Sequence, residues 1–574
     1  MMLPVFFSRI ELLADVWSLE VYKSAVDAPQ NIAFNVEAEP VTNQYGAISV
    51  AHITRCCQHL LSHETHTVIM RSILQGMKGC FILQRRFAYV GHEIVRILKT
   101  EHGVKEFCAF VTTRVSLKYL LQQKDISYSA LLLDEDVQRR YRNEVIDRDY
   151  LAWLESEYGI PNLWPYINVD RVIRFGQLVR EYPHDAPSYD HEDMLKMLQC
   201  YAKAIIAFLD REKPAFLFST PPGAMCTVLL HHIAKKRGVQ TLVMGFPGIR
   251  NRALVSERYD RFTFVESLVN KHRERAIKDI PHFEDARNFI REFRERPRVY
   301  SEIHEPVRRK FTRRQYFNFL SPMRLARMSG WILVMIHEWW GDPDARGDYS
   351  TIPPWNFIFD AVKRKIRNLI GFDDLYDEWD PSLPFVFYPL HLEPELNLLL
   401  LARFDIEQLG VIRRVAQSLP VGMKLVVKEH PQMVSLRTRR FYKEIKKIPN
   451  TVLIRPEISG FDVIARAALV AVISGTAGWE ATLFGKPVIT FGEIFYNALP
   501  SVTRSRIPEE LPALVKDRLT HASFNEDALT RFVAAIFEDS VEADMLNIWE
   551  LGGGPDRKTQ ISAFASLIAS KVYG

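Results

Sequence analysis

The chain has 574 residues, of which 47% are hydrophobic and 25% are charged, so the composition is that of a globular protein. This excludes a disordered tail, a fibre and a collagen-like chain. The 74 Lys and Arg residues exceed the 69 Asp and Glu residues by only five, a surplus too small for a dedicated nucleic-acid binder.

The six cysteines form no CxxC pair and match neither a disulfide framework nor a zinc site, which predicts buried free thiols in a reducing compartment. The first residues reach an acid at Glu11 without the apolar core of a signal peptide. The longest apolar run, MSGWILVMI at 328–336, is shorter than the roughly 20 residues that a membrane span needs. We therefore expect a cytoplasmic protein.

The first half alternates short β-branched or aromatic runs with helical patterns. Strands are predicted at 79–84, 106–113, 129–136, 214–220 and 239–246, and helices at 91–103 and 224–237. This rhythm is typical of βαβ units in a parallel sheet.

Residues 265–380 are charged, aromatic and helical in pattern. The stretch 308–327 contains seven cations and no acid, with five large apolar residues interleaved at 311–320. Such a segment can lie on an anionic membrane surface, which predicts peripheral contact with the inner face of the cytoplasmic membrane through 308–340. An interdomain helix with a solvated basic face and a site for a polyanionic acceptor are the alternatives. The cations are Arg308, Arg309, Lys310, Arg313, Arg314, Arg324 and Arg327.

The second half repeats the strand and helix rhythm more compactly. Strands are predicted at 384–390, 423–430, 451–456, 469–475 and 486–492, with helices at 407–417, 461–467 and 477–484. The pattern predicts a Rossmann-like domain. The whole chain then divides into a Rossmann-like domain at 1–264, a helical basic insertion at 265–380, a second Rossmann-like domain at 381–520, and C-terminal helices at 521–574.

Polar residues follow several strands of the second domain, where a parallel sheet binds its ligands. Small residues and a following helix start can hold a phosphate, and imidazole and carboxyl groups suit acid–base chemistry. A plain strand-to-helix turn is the alternative for the small residues, and a structural histidine or an exposed turn for the others. The candidate residues are His391, Glu393, Glu395, Lys428, His430, Pro431, Ser474, Gly475, Thr476, Gly478 and Glu480.

The first domain contributes further polar residues after its own strands. Ser219, Thr220 and Arg250 are predicted to form the wall of a cleft on the acceptor side. Asp134 is a candidate catalytic base or nucleophile, the alternative being a charged surface loop. The sequence lacks HExxH, GxxxxGK[ST], GxGxxG and GxSxG motifs, which disfavours metalloprotease, P-loop, dinucleotide and α/β-hydrolase functions.

The second half resembles the capsule polysaccharide synthesis family of bacterial GT-B glycosyltransferases, which includes Kdo transferases. The resembling motifs are YPLHLEPE at 388–395, KEHP at 428–431 and SGTAGWEATLFGKPVITFGEIFY at 474–496. The resemblance implies that His430 and Pro431 bind the nucleotide of a CMP-activated sugar. It also implies that Ser474 and Thr476 hold the phosphate, that Glu480 touches the ribose or fixes the loop, and that neither a metal nor a cofactor is required.

We therefore expect an α/β, GT-B-like fold with two Rossmann-like domains facing a cleft and a helical basic insertion. The expected function is transfer of a sugar from a nucleotide donor, CMP-Kdo among the candidates, to a glycan or glycolipid acceptor. UDP- or GDP-sugars and a CDP-polyol remain alternative donors. A sugar-nucleotide 2-epimerase and a non-catalytic capsule assembly protein are the alternative functions.

Overall fold

A computed structural model describes residues 76–158, 162–175, 189–300, 322–341, 353–393, 395–521 and 524–573. Most of the basic stretch 308–327, up to residue 321, lies outside these residues.

The first sheet has seven strands in the order β13-β6-β5-β4-β1-β2-β3. The five strands from β5 to β3 are parallel, whereas β6 and β13 are antiparallel to their neighbours. The strands are β1 Lys78–Leu83, β2 Glu106–Val111, β3 Tyr128–Leu133, β4 Phe216–Ser219, β5 Gln240–Gly245, β6 Arg252–Ser256 and β13 Ser540–Glu542.

The second sheet has six strands, all parallel, in the order β12-β11-β10-β7-β8-β9. Renumbered within the domain, this is the doubly wound order 3-2-1-4-5-6 of a Rossmann sheet. The strands are β7 Phe385–Pro389, β8 Lys424–Lys428, β9 Thr451–Ile454, β10 Leu469–Val472, β11 Val488–Thr490 and β12 Val502–Arg504.

Helices connect the strands and cover both sheets. The α-helices span Phe87–Thr100, Arg114–Gln122, Asp134–Arg139, Arg148–Tyr158, Trp164–Val169, Arg171–Phe175, His191–Glu212, Met225–Lys236, Thr263–Arg273, Phe283–Glu295, Pro322–Gly341, Pro354–Ile370, Leu396–Leu401, Gln408–Gln417, Arg439–Lys446, Gly460–Arg466, Thr476–Leu483, Leu511–Thr520, Glu526–Asp539, Met545–Leu551 and Arg557–Tyr573. Among the described residues no helix is both long and apolar enough to cross a membrane.

The strand sequences are nearly continuous apolar runs. This is expected because helices cover both faces of a parallel sheet, so that neither face is exposed to solvent. In β1, the five residues after Lys78 are all buried, and in β10 every residue is buried. Phe81 packs edge-on against Phe216, with ring centroids 6.3 Å apart, which fixes one face of the first sheet.

Segments distant in sequence complete each domain. Phe283–Glu295 lies within the predicted insertion, yet its Ile290 belongs to the same buried cluster as Val463 of the second domain. At the C-terminus, β13 adds to the first sheet, and Arg557–Tyr573 packs against Phe87–Thr100. The domain division at residues 264, 380 and 520 stays a prediction. The helix Phe283–Glu295, although inside the predicted insertion, packs against the second domain.

The predicted α/β, GT-B-like class with two Rossmann-like sheets is confirmed. Three short strands, β6, β12 and β13, were not predicted. The predicted strand 129–136 is too long at its C-terminal end, because Asp134 begins a helix. Three acids in a first helical turn are favoured by the helix dipole, which explains why the strand ends at Leu133.

Candidate functional site

The switch point of the second sheet lies between β7 and β10. Strands β8 and β9 are added on one side of this point and β11 and β12 on the other. Ligands bind at the carboxyl ends of the strands at such a point. His391 follows β7 and Ser474 follows β10. The two residues meet, since the Ser474 N–H donates to His391 Nε2 at 3.4 Å.

His391 is a buried, neutral link between these strand ends. Burial, together with the nearby charge of Arg437, lowers the pKa of the imidazole to about 3. Because the Ser474 N–H must donate, Nε2 is the acceptor and the proton sits on Nδ1. Gln408 fixes the backbone on both sides, accepting from His391 N–H at 2.8 Å and donating to its carbonyl at 3.3 Å. This geometry favours a positioning role, and the expected acid–base role stays a prediction.

Arg437 is a fully buried cation that links residues following β7 to a residue following β8. Its Nη2 donates to the His391 carbonyl at 2.6 Å and to Glu393 Oε2 at 2.8 Å, and its Nη1 pairs with the buried Glu429. Tyr442 Oη donates to the other oxygen of Glu429 at 2.8 Å. Glu393 therefore serves as one arm of an ion-pair network rather than as an isolated acid.

Glu395 was predicted as the third member of the acid and imidazole cluster. It lies partly exposed immediately before the helix Leu396–Leu401, and its charge helps to raise the pKa of the Tyr300 hydroxyl, which is raised chiefly by burial. Glu395 thus faces a residue of the predicted insertion, whereas Glu393 faces Arg437.

The KEHP turn presents a donor at its tip. His430 caps the short 3₁₀ helix Pro431–Met433 by accepting from the Gln432 N–H through Nδ1 at 3.3 Å. A backbone N–H can only donate, so the neutral imidazole must carry its proton on Nε2. Lys428 is buried at the end of β8, with Nζ 3.4 Å from the Glu429 carbonyl. Lys428 and His430 lie on the same turn, and their contact with a phosphate stays a prediction.

The SGTAG turn is shaped by close packing around its glycines. A Cβ on Gly475 would lie 2.9 Å from His391 Nε2, and one on Gly478 would lie 2.8 Å from Val472 Cγ1, so neither position has room for a side chain. Tyr496 Oη donates to the Gly475 carbonyl at 2.7 Å. The helix Thr476–Leu483 then begins with no side-chain cap, which leaves its positive N-terminal end for another group.

Glu480 lies one turn into this helix, and the pKa of its carboxyl is raised. Loss of water raises the pKa of its carboxyl to about 7, while the charge of Lys428 acts in the opposite direction. Lys428 and Glu480 are thus brought close together from two different strand ends. A buried carboxyl whose pKa lies near neutral pH is typical of functional sites.

Contacts between the two domains hold the helix Thr476–Leu483 against the first domain. Trp479 Nε1 donates to the Gly248 carbonyl at 3.2 Å, and Gly248 has a φ of +68°. A Cβ there would lie 2.8 Å from Trp479 Nε1, so close approach and backbone conformation both require glycine. Leu399 adds a second contact, since it belongs to the buried cluster of the first domain.

The first domain has its own switch point, between β1 and β4. Ser219 ends β4 and Thr220 follows it; both are buried, and the Thr220 hydroxyl accepts from the side-chain amide of Gln84. Arg250 is partly exposed in the loop that follows Gly248. These predicted acceptor-side residues therefore lie at the expected strand ends, although only Arg250 is accessible at the surface.

Asp134 is buried inside the first domain instead of lying on a surface loop. Burial raises the pKa of its carboxyl to about 7, and the neighbouring Asp170 acts in the same direction. Asp170 in turn accepts from the N–H groups of Val172 at 3.0 Å and Met225 at 3.0 Å, which caps two helices at once. No contact described in the structure joins Asp134 to the cluster around His391.

The sequence reasoning missed Arg437, Gln408 and Trp479. The resembling motif SGTAGWEA contains Trp479, but a tryptophan in a helical pattern predicts core packing. Arg437 lies in an unremarkable stretch, VSLRTRR, where only the fold shows that one of three arginines is buried. Two acids in the neighbouring motifs, Glu393 and Glu429, were the available signal that a buried cation must balance them.

The family comparison matches residues 381–534 to a model described as capsule polysaccharide biosynthesis protein. This segment is similar to that family. We refer to residues 381–534 as the capsule-synthesis domain. It contains both the second sheet and every site residue named around its switch point.

The solved structures that match this chain at low sequence identity include two enzymes. One is Thermosulfurimonas dismutans KpsC, a beta Kdo 2,4 transferase, at 14% identity and a TM-score of 0.33, covering 56% of this chain and 80% of that one. Another is the UDP-GlcNAc 2-epimerase of Neisseria meningitidis bound to UDP-GlcNAc, at 10% identity and a TM-score of 0.25, covering 86% and 99%. Among curated proteins, no sequence matches the chain.

Proposed function

We propose that the protein is a glycosyltransferase of bacterial surface polysaccharide synthesis that uses a nucleotide-activated sugar. The observation that carries the proposal is the switch point of the capsule-synthesis domain. There the helix Thr476–Leu483 begins without a side-chain cap, and the charge of Lys428 acts on Glu480, one turn into the same helix. A helix start, small residues and a cation together form a phosphate-binding site.

The proposed donor is CMP-Kdo, which is the donor that the sequence resemblance implies. Its phosphate would be held by Ser474, Gly475 and Thr476. His430 would contact the nucleotide through Nε2, while its Nδ1 accepts from the Gln432 N–H. Pro431 fixes the turn that holds the imidazole, and Glu480 would contact the ribose.

Catalysis would rest on stabilising the leaving phosphate as its negative charge develops. The helix start and Lys428 supply fixed positive charge that needs no reorganisation during the reaction. This proposal requires no metal. A carboxylate must accept the proton that the acceptor hydroxyl loses, and Asp134 and Glu480 are the two candidates whose pKa lies near 7. A glycan or glycolipid acceptor would approach from the first domain, near Arg250.

The proposal is tested by replacing His430 with alanine. The imidazole is partly exposed and its loss removes one cap of a short 3₁₀ helix, so the fold should survive. We expect turnover to fall by at least about tenfold, which corresponds to roughly 1.4 kcal/mol of lost transition-state stabilisation. His521→Ala, which removes an exposed histidine of the same domain, is the matched control.

The readouts are donor hydrolysis and transfer, together with thermal shifts produced by CMP, CDP, UDP and GDP. A ligand at 100 times its Kd stabilises the folded state by about 2.7 kcal/mol, which such a shift detects. Unchanged hydrolysis and transfer in the His430 variant would overturn the site assignment. Product formed from the nucleotide sugar without an acceptor would indicate a 2-epimerase, and failure to bind any of the four nucleotides would indicate an assembly protein.

A further inference from the structure

The helix Pro322–Gly341 is apolar and yet has no buried side chain among those described. Leu333 is 65% exposed, Val334 is 53% exposed and Trp340 is 60% exposed. A helix that is apolar on most of its surface is normally covered, either by protein or by lipid. The described residues of the chain do not cover this one.

The helix Pro354–Ile370 shows the same property on one face. Trp355, Phe359, Val362, Ile366 and Leu369 are between 45% and 63% exposed. Their spacing of four, three, four and three residues places them in one stripe along the helix. We call these five residues the apolar stripe.

The two helices are held to each other and to the capsule-synthesis domain. Trp339 and Trp355 pack edge to face with ring centroids 5.2 Å apart. Arg367 Nη1 donates to the carbonyls of Ser435 and Leu436, each at 3.3 Å. The apolar stripe is therefore carried on a helix anchored to the domain, and its exposure does not come from a detached helix.

Charge indicates what covers these helices. Lys363 and Lys365 are exposed beside the stripe, and Arg327 is exposed on the first helix. The sequence from 308 to 337 contains seven cations and no acid. A two-fold contact with a second copy would bring these like charges together, whereas an anionic lipid surface attracts them.

Aromatic residues support the same occupant. Trp339, Trp340 and Trp355 cluster where the first helix ends and the second begins. Tryptophan prefers the boundary between lipid headgroups and acyl chains, since its ring is apolar and its N–H polar. An amphipathic helix with lysines at its edge and large apolar residues on one face lies in the plane of that boundary.

We propose that Pro322–Gly341 and Pro354–Ile370 together form a membrane-binding surface, with the apolar stripe inserted into the interface of an anionic bilayer. This extends the contact predicted at 308–340 to a second helix, which contributes the more regular apolar face. The surface does not include the nucleotide site, so lipid binding and donor binding are separable.

The test uses the full-length chain in flotation with vesicles of phosphatidylcholine alone or mixed with phosphatidylglycerol. We expect binding to the mixed vesicles and quenching of tryptophan fluorescence by brominated lipid. Phe359→Ser with Ile366→Ser should weaken binding by at least about tenfold, because two large apolar side chains no longer leave water. Val421→Ser removes a fully exposed apolar residue outside the surface and should bind as the wild type does.

Lys363→Glu with Lys365→Glu should reduce binding to the mixed vesicles and remove most of its dependence on salt. The proposal is overturned if the wild type does not float, or if the Phe359 and Ile366 variant floats equally well. It is also overturned if the wild type is a dimer that this variant converts to a monomer, since a second copy would then cover the stripe. Unchanged nucleotide-induced thermal shifts in all variants would show that the proposed function is unaffected.

Discussion

Arg437 holds the residues of the site in place, although it was not itself among the predicted site residues. Its guanidinium joins Glu393, Glu429 and the His391 carbonyl, which belong to two different strand ends. The two carboxylates hold the pKa of the guanidinium above its usual range despite its burial. Removing one member of such a network leaves charges buried without compensation, which costs more than the network contributes.

We predict that Arg437→Met lowers the free energy of unfolding by about 3–5 kcal/mol, because Glu393 and Glu429 lose their counter-charge. Arg455→Met is the matched control, since Arg455 pairs with an exposed acid and is itself 50% exposed. Its effect should remain below about 0.5 kcal/mol. Urea denaturation of both variants measures the difference, and equal losses would contradict the network.

Asp134 predicts a dependence of stability on pH. The folded pKa of its carboxyl is about 7, above its ordinary value of 3.8. Between these values the folded state keeps a proton that the unfolded state has lost, so the contribution of this carboxyl to stability falls as pH rises from about 4 to about 7.

We predict that Asp134→Asn removes this loss. Between pH 4 and pH 8, the free energy of unfolding of the variant should rise relative to that of the wild type by up to about 4 kcal/mol. This figure follows from a pKa difference of about three at 1.36 kcal/mol per pH unit. Urea denaturation across that pH range measures the shift. Asp136→Asn, two residues along the same helix and 53% exposed, should follow the wild-type profile. A flat difference for Asp134→Asn would show that this carboxyl is not held protonated.

At the scale of elements, the helix Thr476–Leu483 owes its position to packing around its first turn. Gly475 and Gly478 bring its first turn against His391, Val472 and Tyr496. Trp479 holds the same turn to the first domain. The proposed phosphate site is therefore a close-packed turn, and its shape depends on the absence of two Cβ atoms.

We predict that Gly478→Ala weakens CMP binding by at least about tenfold and costs about 1–3 kcal/mol of stability, because the new methyl must displace Tyr496 or Val472. Gly460→Ala provides the control, since a Cβ there meets nothing within 4 Å. Titration calorimetry with CMP measures binding. Wild-type affinity in Gly478→Ala would show that the turn does not hold the phosphate.

At the scale of the whole molecule, the C-terminus closes the first domain. Ile561, Phe564 and Ile568 are fully buried in the cluster that contains β1 and β4 side chains. Phe564 packs against Phe218 with ring centroids 6.0 Å apart. The last helix is thus part of the first domain, although the whole second domain separates them in sequence.

We predict that Phe564→Ala lowers stability by about 3–5 kcal/mol, mostly in the first domain. Hydrogen exchange should accelerate in β1 and β4 and remain slow in β7 and β10. Leu551→Ala, which shortens a 60% exposed side chain in the same C-terminal region, should change neither domain. Faster exchange spread evenly over both sheets would contradict a domain-specific role for the last helix.

The amino-acid sequence alone predicts the α/β class, most of the strands and the motifs that contain the candidate residues around the second sheet. Those features are local: apolar runs mark buried parallel strands, and small or polar residues mark the turns after them. The same local signals predicted an apolar, basic segment near residues 308–340.

Which of these residues meet depends on the tertiary structure. Strand order places His391 beside Ser474, although 83 positions separate them, and it brings buried Arg437 between Glu393 and Glu429. Likewise, the sequence did not predict that Asp134 is buried or that the apolar stripe is exposed. Pairing and burial are properties of non-local packing, and the composition and charge with which the chain was first described do not contain them.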